Sequence, residues 1–191
     1  MGTVRLDFTL SLDGYMTGPN VSVQHPMGEG GLRLHEWILA DQISAADARI
    51  SREAASSVGA VIIGRRMFDV GVGVWDDTPF PVPTFVLTHE VREPLPMTSG
   101  TFTFVNDGIQ CALERAAAVA GDKHIRLMSG TVARQALDAG LVDEIHIQIA
   151  PVLLGRGQRL FDCLNHSGVE LEQVEVIASP SVTHLHYRVV K

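Results

Sequence analysis

Two short stretches of this chain have residue types and spacing suited to binding a phosphate group. Gly64-Arg65-Arg66 follows a run of four apolar residues, and Ser129-Gly130-Thr131 follows a second strand-like segment. A helix that begins directly after a strand exposes backbone N–H groups without intrahelical partners, and such groups bind anions. An arginine beside them can add a bidentate contact to phosphate. The two turns predict a phosphate-bearing ligand across the ends of a sheet, although each also fits an ordinary turn before a helix.

Composition indicates a globular protein with a large apolar core. The chain has 191 residues, 46% hydrophobic and 19% charged, and this length suits one large domain. The net charge of −7 argues against a nucleic-acid partner, which would need a basic surface. The two cysteines, Cys111 and Cys163, form neither a disulfide framework nor a CxxC metal motif. Because the sequence has no signal-peptide pattern and no apolar run of membrane-spanning length, we predict a cytoplasmic protein.

The order of the strand and helix patterns predicts a single-domain α/β fold with a mostly parallel central sheet. Residues 4–12 alternate between apolar and polar side chains, which is typical of a strand, and we expect this strand inside the sheet. Residues 17–31 are rich in glycine and proline and predict a long loop. Residues 170–178 and 182–190 predict a closing hairpin with an antiparallel edge.

Two helices have recognisable N-terminal signals. Ser44 can cap a helix that runs to about Ser57, with Asp47 at the third helical position, and Gly59 follows its end. Asp107 can cap an alanine-rich helix that ends before residue 121. An acidic side chain in the first turn also interacts favourably with the helix dipole, so Asp47 has a structural interpretation as well as a functional one.

Histidines occur at alternate positions near the C-terminus. His146 and Gln148 lie on one face of a predicted strand, and His184 and His186 lie on one face of another. If these strands pair, their imidazoles approach each other. A metal site is not predicted, because no cysteine or carboxylate completes the set, and a polar face at a subunit contact is favoured. The sequence also has no nucleophile elbow or paired-carboxylate spacing of a hydrolase.

Several motifs occur in an order that resembles a known superfamily. The motifs are SLDGYMTG at 11–18, GRRMF at 64–68, FVLTH at 85–89, AGLVDEI at 139–145, APVLLG at 150–155 and RLF at 159–161. In this order the chain resembles the dihydrofolate-reductase-like superfamily over residues 3–190. It is most similar to stand-alone proteins related to the RibD C-terminal reductase domain. The resemblance implies a three-layer α/β fold with a mixed, mostly parallel sheet of about eight strands.

The resemblance implies an NADPH-dependent reductase of a small pteridine- or pyrimidine-like ring, related to the 5-amino-6-(5-phosphoribosylamino)uracil reductase of riboflavin biosynthesis. It also implies a homodimer that pairs through the last strands. Asp47 and Asp13 are the candidate catalytic carboxylates, and Trp37 lies in a segment expected to cover the substrate ring. The residues implied to contact the cofactor are Thr9, Met16, Gly18, Gly64, Arg65, Arg66, Met67, Leu87, Thr88, His89, Ser129, Gly130, Thr131, Val132 and Ala133.

The chain departs from the family pattern at one turn. Met128-Ser129-Gly130 stands where relatives commonly have a glycine-rich turn. In dihydrofolate reductases this turn holds a cis peptide, and a cis bond that does not precede proline is energetically unfavourable. Met128 also falls near a substrate-binding glutamate of the riboflavin-pathway reductase. These departures leave open a second hypothesis, a catalytically weak or inactive nucleotide- or pterin-binding protein on the same fold.

Overall fold

A computed structural model describes residues 2–162, 164–165 and 168–191, so that Cys163 lies outside the described residues. Within these ranges the strands are β1 Val4–Ser11, β2 Tyr15–Thr17, β3 Val58–Gly64, β4 Thr84–Leu87, β5 Leu95–Pro96, β6 Thr101–Val105, β7 His124–Leu127, β8 Glu144–Ala150, β9 Gln158–Arg159, β10 Leu171–Ala178 and β11 Thr183–Val189. The helices are α1 Glu36–Leu39, α2 Ala45–Ser56, α3 Arg65–Trp75, α4 Gly108–Ala120 and α5 Gly130–Asp138, and a 3-10 turn at Gly31–His35 precedes α1.

Nine of the strands form one mixed sheet in the order β10-β11-β8-β1-β7-β3-β4-β6-β5. The six strands from β8 to β6 run parallel, whereas β11, β10 and β5 are antiparallel to their neighbours. β1 pairs with β7 on one side and β8 on the other, which confirms the predicted interior position of residues 4–12. The predicted α/β fold with a mostly parallel sheet is likewise confirmed.

The sheet is covered by helices on both faces, as a three-layer fold requires. On one face, Leu6, Ile62 and Leu127 pack in a large apolar cluster that also contains Ala116 of α4 and Val132 of α5. On the other face, a second cluster joins residues of β3, β4 and β6 to Phe68 of α3. Burial of these apolar side chains is the main stabilising contribution to the fold. Among the described helices, none has the length and apolar content needed to cross a bilayer.

The predicted end of one helix and the predicted capping bond of another need correction. Ser44 caps α2 as expected, since its Oγ accepts the N–H of Asp47 at 3.1 Å, but Gly59 lies inside β3 rather than after a helix. A Cβ at position 59 would approach the Ala120 carbonyl oxygen to 2.6 Å, so glycine is needed for packing there. Asp107 occupies the N-cap position of α4 without a side-chain capping bond. Its carboxylate instead pairs with Arg115 at 3.2 Å.

Candidate functional site

A crevice lies at the carboxyl ends of β3 and β7, where the connections from the two strands lead in opposite directions along the sheet. The two strands are neighbours, yet the chain leaves β3 through α3 to reach β4 and leaves β7 through α5 to reach β8 on the far side of β1. In open parallel sheets, ligands bind outside the strand ends at such a switch point. The two turns selected from the sequence, at Gly64 and Ser129, therefore come together at one position in the fold.

Both helices at this crevice begin without a side-chain cap. Neither Gly64, before α3, nor Ser129, before α5, makes a capping bond to its own helix. The Ser129 Oγ instead accepts the backbone N–H of Gly64 at 2.8 Å, which ties the two strand ends together. The first-turn N–H groups of both helices are thus available to an anion, and the two helix dipoles favour negative charge at the same crevice.

The two arginines of the GRR turn differ in their surroundings. Arg65 donates from Nε to Asp69 at 2.7 Å and from Nη1 to Glu90, so its guanidinium already has two carboxylate partners. Arg66 is exposed and makes no hydrogen bond or ion pair within the described part of the chain. His89 is also exposed, just beyond the end of β4. Arg66 and His89 are therefore the more accessible basic side chains near this edge.

Some of the other predicted cofactor residues are buried, and the rest lie at the edge of the sheet. Val132 and Ala133 point into the core, and the Ala133 N–H already bonds to the Ser129 carbonyl at 2.9 Å. Thr88 is buried and its Oγ1 accepts the N–H of Glu90 at 3.2 Å, which shapes the loop after β4. The remaining predicted residues in these segments lie at or near the same edge of the sheet: Met67, Leu87, Gly130 and Thr131.

The loop after β1 reaches over the start of α5. Met16 is buried against Gly130, where an added Cβ would lie 2.3 Å from the Met16 Cε, so a larger residue would require the Met16 side chain to move. Gly18 is also buried, and a Cβ there would approach the carbonyl oxygen of Glu29 to 2.0 Å. Met16 thus packs against the start of α5, and Thr9 and Gly18 belong to the same segment of the chain; contact of these three residues with a cofactor stays a prediction.

Asp13 holds this loop to the loop after β8. Its two carboxylate oxygens accept the backbone N–H groups of Leu154 at 3.1 Å and Gly155 at 2.7 Å. A hydrogen bond with Ser11, together with these backbone bonds, lowers the pKa of Asp13 to about 2 against the opposing effect of burial. The carboxylate is therefore ionised and fully engaged in joining two loops.

A chain of buried hydrogen bonds runs across the polar face of β1. The indole Nε1 of Trp37 donates to Thr9 Oγ1 at 3.1 Å, and Thr9 donates to Gln148 Oε1 at 3.2 Å. Gln148 donates in turn to Asp7 Oδ1 at 3.1 Å, and Arg126 pairs with Asp7 Oδ2 at 3.3 Å. Trp37 is thus a buried member of this hydrogen-bonded chain.

Asp47 lies at the end of this network and pairs with a histidine. Its Oδ1 is 2.7 Å from Nε2 of His184, and its Oδ2 accepts the hydroxyl of Ser44 at 2.7 Å. The His184 ring packs edge-on against Trp37, with ring centroids 5.1 Å apart. Burial alone would raise the pKa of Asp47, but the bonds from His184 and Ser44 outweigh it and the pKa lies below its usual value. The pKa of Asp47 therefore lacks the upward shift that would suit a proton donor.

Several buried polar atoms have no hydrogen-bond partner among the residues that the structure describes. They include Arg126 Nε, His35 Nδ1, His184 Nδ1 and Thr17 Oγ1. Burial, and then the charge of Arg126, lower the pKa of His35, which favours its neutral form. Buried polar groups are nearly always hydrogen-bonded, so such a set is consistent with a polar ligand beneath α2 and the 3-10 turn.

Sequence reasoning missed Asp7 and Arg126 as members of this region. Asp7 belongs to the polar half of the alternating pattern in residues 4–12, which resembles a solvent-facing surface. In the structure, Asp7, Thr9 and Ser11 are all buried. The sequence nevertheless contains a signal for this. Asp7, Thr9 and Ser11 share one face of a strand that is expected inside the sheet, and buried polar side chains need polar partners.

The histidines of the last strands approach each other as the sequence suggested. β8 and β11 pair so that His146 lies opposite His186 and Gln148 opposite His184. Burial, followed by the charge of Arg5, lowers the pKa of His146 to about 2. The premise that no carboxylate accompanies these histidines is wrong, because Glu144 lies within the same group.

Comparison with protein families identifies the chain. A model of the RibD C-terminal domain matches residues 2–185. The chain belongs to the RibD C-terminal domain family. No curated protein matches it.

Solved structures confirm the fold. A candidate riboflavin biosynthesis protein from Shewanella sp. PV-4 is 20% identical, with a TM-score of 0.74 over 99% of each chain. Dihydrofolate reductase from Enterococcus faecalis, solved with NADP(H), is 14% identical, with a TM-score of 0.59 over 100% of this chain and 98% of the other. A bifunctional deaminase/reductase from Thermotoga maritima is 13% identical, with a TM-score of 0.66 over 99% of this chain and 57% of the other.

Proposed function

We propose that the protein is an NADPH-dependent reductase of a small pteridine- or pyrimidine-like heteroaromatic compound. The observation that carries this proposal is the pair of uncapped helix N-termini, α3 and α5, at the switch point between β3 and β7. A dinucleotide pyrophosphate is the anion that such a crevice suits. Membership of the RibD C-terminal domain family supports a reductase, and the likeness to a dihydrofolate reductase solved with NADP(H) supports the cofactor.

The residues present fit a bound NADPH. The hydroxyl of Ser129 keeps the ends of β3 and β7 together, so the N–H groups of both helices face one ligand. Arg66 supplies the accessible charge for a phosphate, and Met16 with Gly18 forms a wall beside the start of α5. When bound, NADPH supplies the hydride, and the protein contributes orientation and electrostatics.

On the substrate side, His184 rather than Asp47 is placed to contact a ligand. Asp47 is fully buried, and both its oxygens are engaged by His184 and Ser44. This pairing holds the His184 Nε2 proton towards the carboxylate, and Nδ1 has no hydrogen-bond partner in the described part of the chain. Asp47 would act as a positioning residue for His184, and Arg126 Nε would offer a further hydrogen bond to a polar ring.

Cofactor binding is tested by thermal unfolding with NADPH and with NADH. A ligand that binds only the folded protein stabilises it by about 2.7 kcal/mol at 100 times its Kd. We expect a larger shift with NADPH, because its additional phosphate gains a charge-assisted contact. Equal shifts with both nucleotides would remove the cofactor preference, and no shift with either would remove the cofactor site.

The site is tested by replacing the arginines. Arg66→Ala should weaken NADPH binding about tenfold or more, since a hydrogen bond to a charged group contributes roughly 1.5–3 kcal/mol. Arg65→Ala should have a smaller effect, because Arg65 is paired with Asp69 and Glu90. Arg52→Ala, an exposed arginine on α2, is the matched control. Unchanged affinity in the Arg65→Ala/Arg66→Ala double variant would refute the assignment.

A binding protein without turnover is the second candidate. The observation that favours it is Met128, which falls near the position of a substrate-binding glutamate in the riboflavin-pathway reductase and which packs against the apolar cluster around Phe68. Single-turnover oxidation of NADPH with dihydropterins, dihydrofolate and the ribosylaminopyrimidinone distinguishes the two. Tight NADPH binding with no oxidation by any of these compounds would favour the binding protein.

A further inference from the structure

Three side chains converge at the start of β8, away from the cofactor crevice. Nε2 of His146 lies 3.5 Å from Glu144 Oε2, and Nε2 of His186 lies 3.7 Å from the same oxygen. The three potential ligand atoms all lie within 4.8 Å of one another. The two imidazoles are in contact, with ring centroids 3.2 Å apart, because β8 and β11 place them directly opposite each other.

The separations match a metal site better than a hydrogen-bonded group. Hydrogen bonds between nitrogen and oxygen are roughly 2.7–3.2 Å long, shorter than either histidine–carboxylate distance here. Ligands at about 2.05 Å from a tetrahedral zinc ion are ~3.3 Å apart, so the two histidine–carboxylate distances would need to shorten by only a few tenths of an ångström. His146 Nε2 is buried and has no hydrogen-bond partner among the described residues, although it faces a carboxylate.

The surrounding residues would support metal binding through Glu144. Arg5 donates to Glu144 Oε2 from Nε at 3.0 Å and from Nη2 at 2.8 Å, and it also contacts Nε2 of His124 at 2.7 Å. Ligating carboxylates are commonly held by such outer hydrogen bonds, and a carboxylate has enough lone pairs for both partners. The positive charge of Arg5 would repel a bound cation. The negative charge of Glu144 offsets this repulsion as long as Arg5 and Glu144 stay paired.

The cluster also opens onto free space. A cavity of about 290 Å³ lies between α2 and the strands β8, β10 and β11, and its lining includes His146, His186 and His184. This volume leaves room for a water molecule or a small oxygen-donor ligand beside the three side chains. Two histidines, one carboxylate and an open position form the ligand set of catalytic zinc sites.

We propose that Glu144, His146 and His186 bind one divalent transition metal ion of the zinc type, with an open coordination position facing the cavity beneath α2. The site is separate from the NADPH crevice, because the three residues lie towards the start of β8 and of the neighbouring parallel strand, where Glu144 and His146 pair with Arg5 and Asp7 of β1. The phosphate-binding turns, in contrast, follow the carboxyl ends of β3 and β7.

Zinc affinity of the untagged full-length protein tests the site. Titration with Zn²⁺ against a chromophoric chelator should give one equivalent per chain, and Co²⁺ should give the intense visible bands of a four-coordinate site. His186→Gln and Glu144→Gln should each weaken Zn²⁺ binding by ~100-fold or more, since even loss of a supporting residue costs 10–100-fold. His25→Ala, which removes an exposed histidine of the long loop, should leave binding unchanged.

Far-UV circular dichroism of each variant establishes that the fold is retained. If Glu144→Gln is misfolded, His186→Gln alone decides the result, because His186 is only partly buried and its removal leaves the Arg5–Glu144 pair intact. The proposal is overturned if the wild-type protein binds no zinc. It is equally overturned if a folded His186→Gln variant binds zinc with wild-type affinity, since the metal would then occupy another surface histidine.

Discussion

At the scale of single residues, loss of Asp47 should carry a clear structural cost. Its removal would leave His184 Nε2 and the hydroxyl of Ser44 without their buried acceptor. We expect Asp47→Ala to lower the free energy of unfolding by about 2–4 kcal/mol, and Asp47→Asn to cost less because it keeps one oxygen acceptor. Urea denaturation measures both, with Asp41→Ala, an exposed loop residue, as control. Equal values for Asp47→Ala and the control would contradict the buried pairing.

Asp13 provides a pH-dependent contribution to stability. Its folded-state pKa of about 2 is lower than the ordinary value of a carboxyl, so the ionised form stabilises the folded protein. This contribution is fully present above about pH 4, where the unfolded carboxyl is ionised, and is lost as the pH falls towards 2. Wild type should therefore melt higher than Asp13→Asn above about pH 4, with the difference shrinking on acidification. A difference in melting temperature that stays constant between pH 6 and pH 3 would exclude this linkage.

Some of these residue roles could be read from the sequence and others could not. The position of Asp47 in the first turn of α2 followed from Ser44 three residues earlier, which is a local pattern. Its partner could not be found in this way, because His184 lies 137 residues away. The polar face of β1 was recognised, but its burial depends on α1 and the 3-10 turn folding over it, which no local pattern specifies.

At the scale of elements, Ser129 joins two strands that are adjacent in space and distant in sequence. Ser129→Ala would leave the N–H of Gly64 without its partner at a half-buried position. We expect a loss of about 1–2 kcal/mol in the free energy of unfolding and weaker NADPH binding, because the two helix N-termini would no longer be held together. Ser181→Ala, in the exposed hairpin turn, is the control for both measurements. A Ser129→Ala variant with the stability and NADPH affinity of the control would show that the bond is dispensable.

The long elements were predictable because their patterns are repeated over many residues. β1, α2, α4 and the closing hairpin were all expected near their observed positions. The two-residue strands β5 and β9 were not, since so short a segment has no periodicity. The meeting of the two phosphate-type turns was expected from the rule that parallel strands end at one edge, and the serine bridge between them was not.

At the scale of the whole molecule, we propose a homodimer that forms through β10. The sequence suggested both Glu144–Ile149 and the hairpin as contact regions, but β8 lies between β1 and β11 and has no free edge. β10 is the terminal strand of the described sheet, and Val174 and Val176 on it are 48% and 47% exposed. An unprotected edge strand with apolar side chains is a site for pairing with another chain.

Sedimentation equilibrium at micromolar concentration tests this proposal. The wild-type protein should have the mass of a dimer, and Val176→Lys should shift it towards the monomer by placing a charge at the contact. Val119→Lys, an exposed valine of α4 on a different element, should leave the mass unchanged. A monomeric wild-type protein would exclude the dimer, and a fully dimeric Val176→Lys variant would exclude β10 as the contact.

The interior position of β1 also bears on how the chain folds during its synthesis. Arg5 and Glu144, which are bonded across β1 and β8, are 139 residues apart in the chain. At a synthesis rate of roughly 5–20 residues per second, Glu144 is added to the chain about 7–30 s after Arg5. Until β8 is made, Leu6, Phe8 and Leu10 lack the part of their apolar cluster that Ile145 and Ile147 supply in the finished protein. The nascent chain therefore presents its first apolar strand to chaperones, or to other nascent chains, until most of the sequence has left the ribosome.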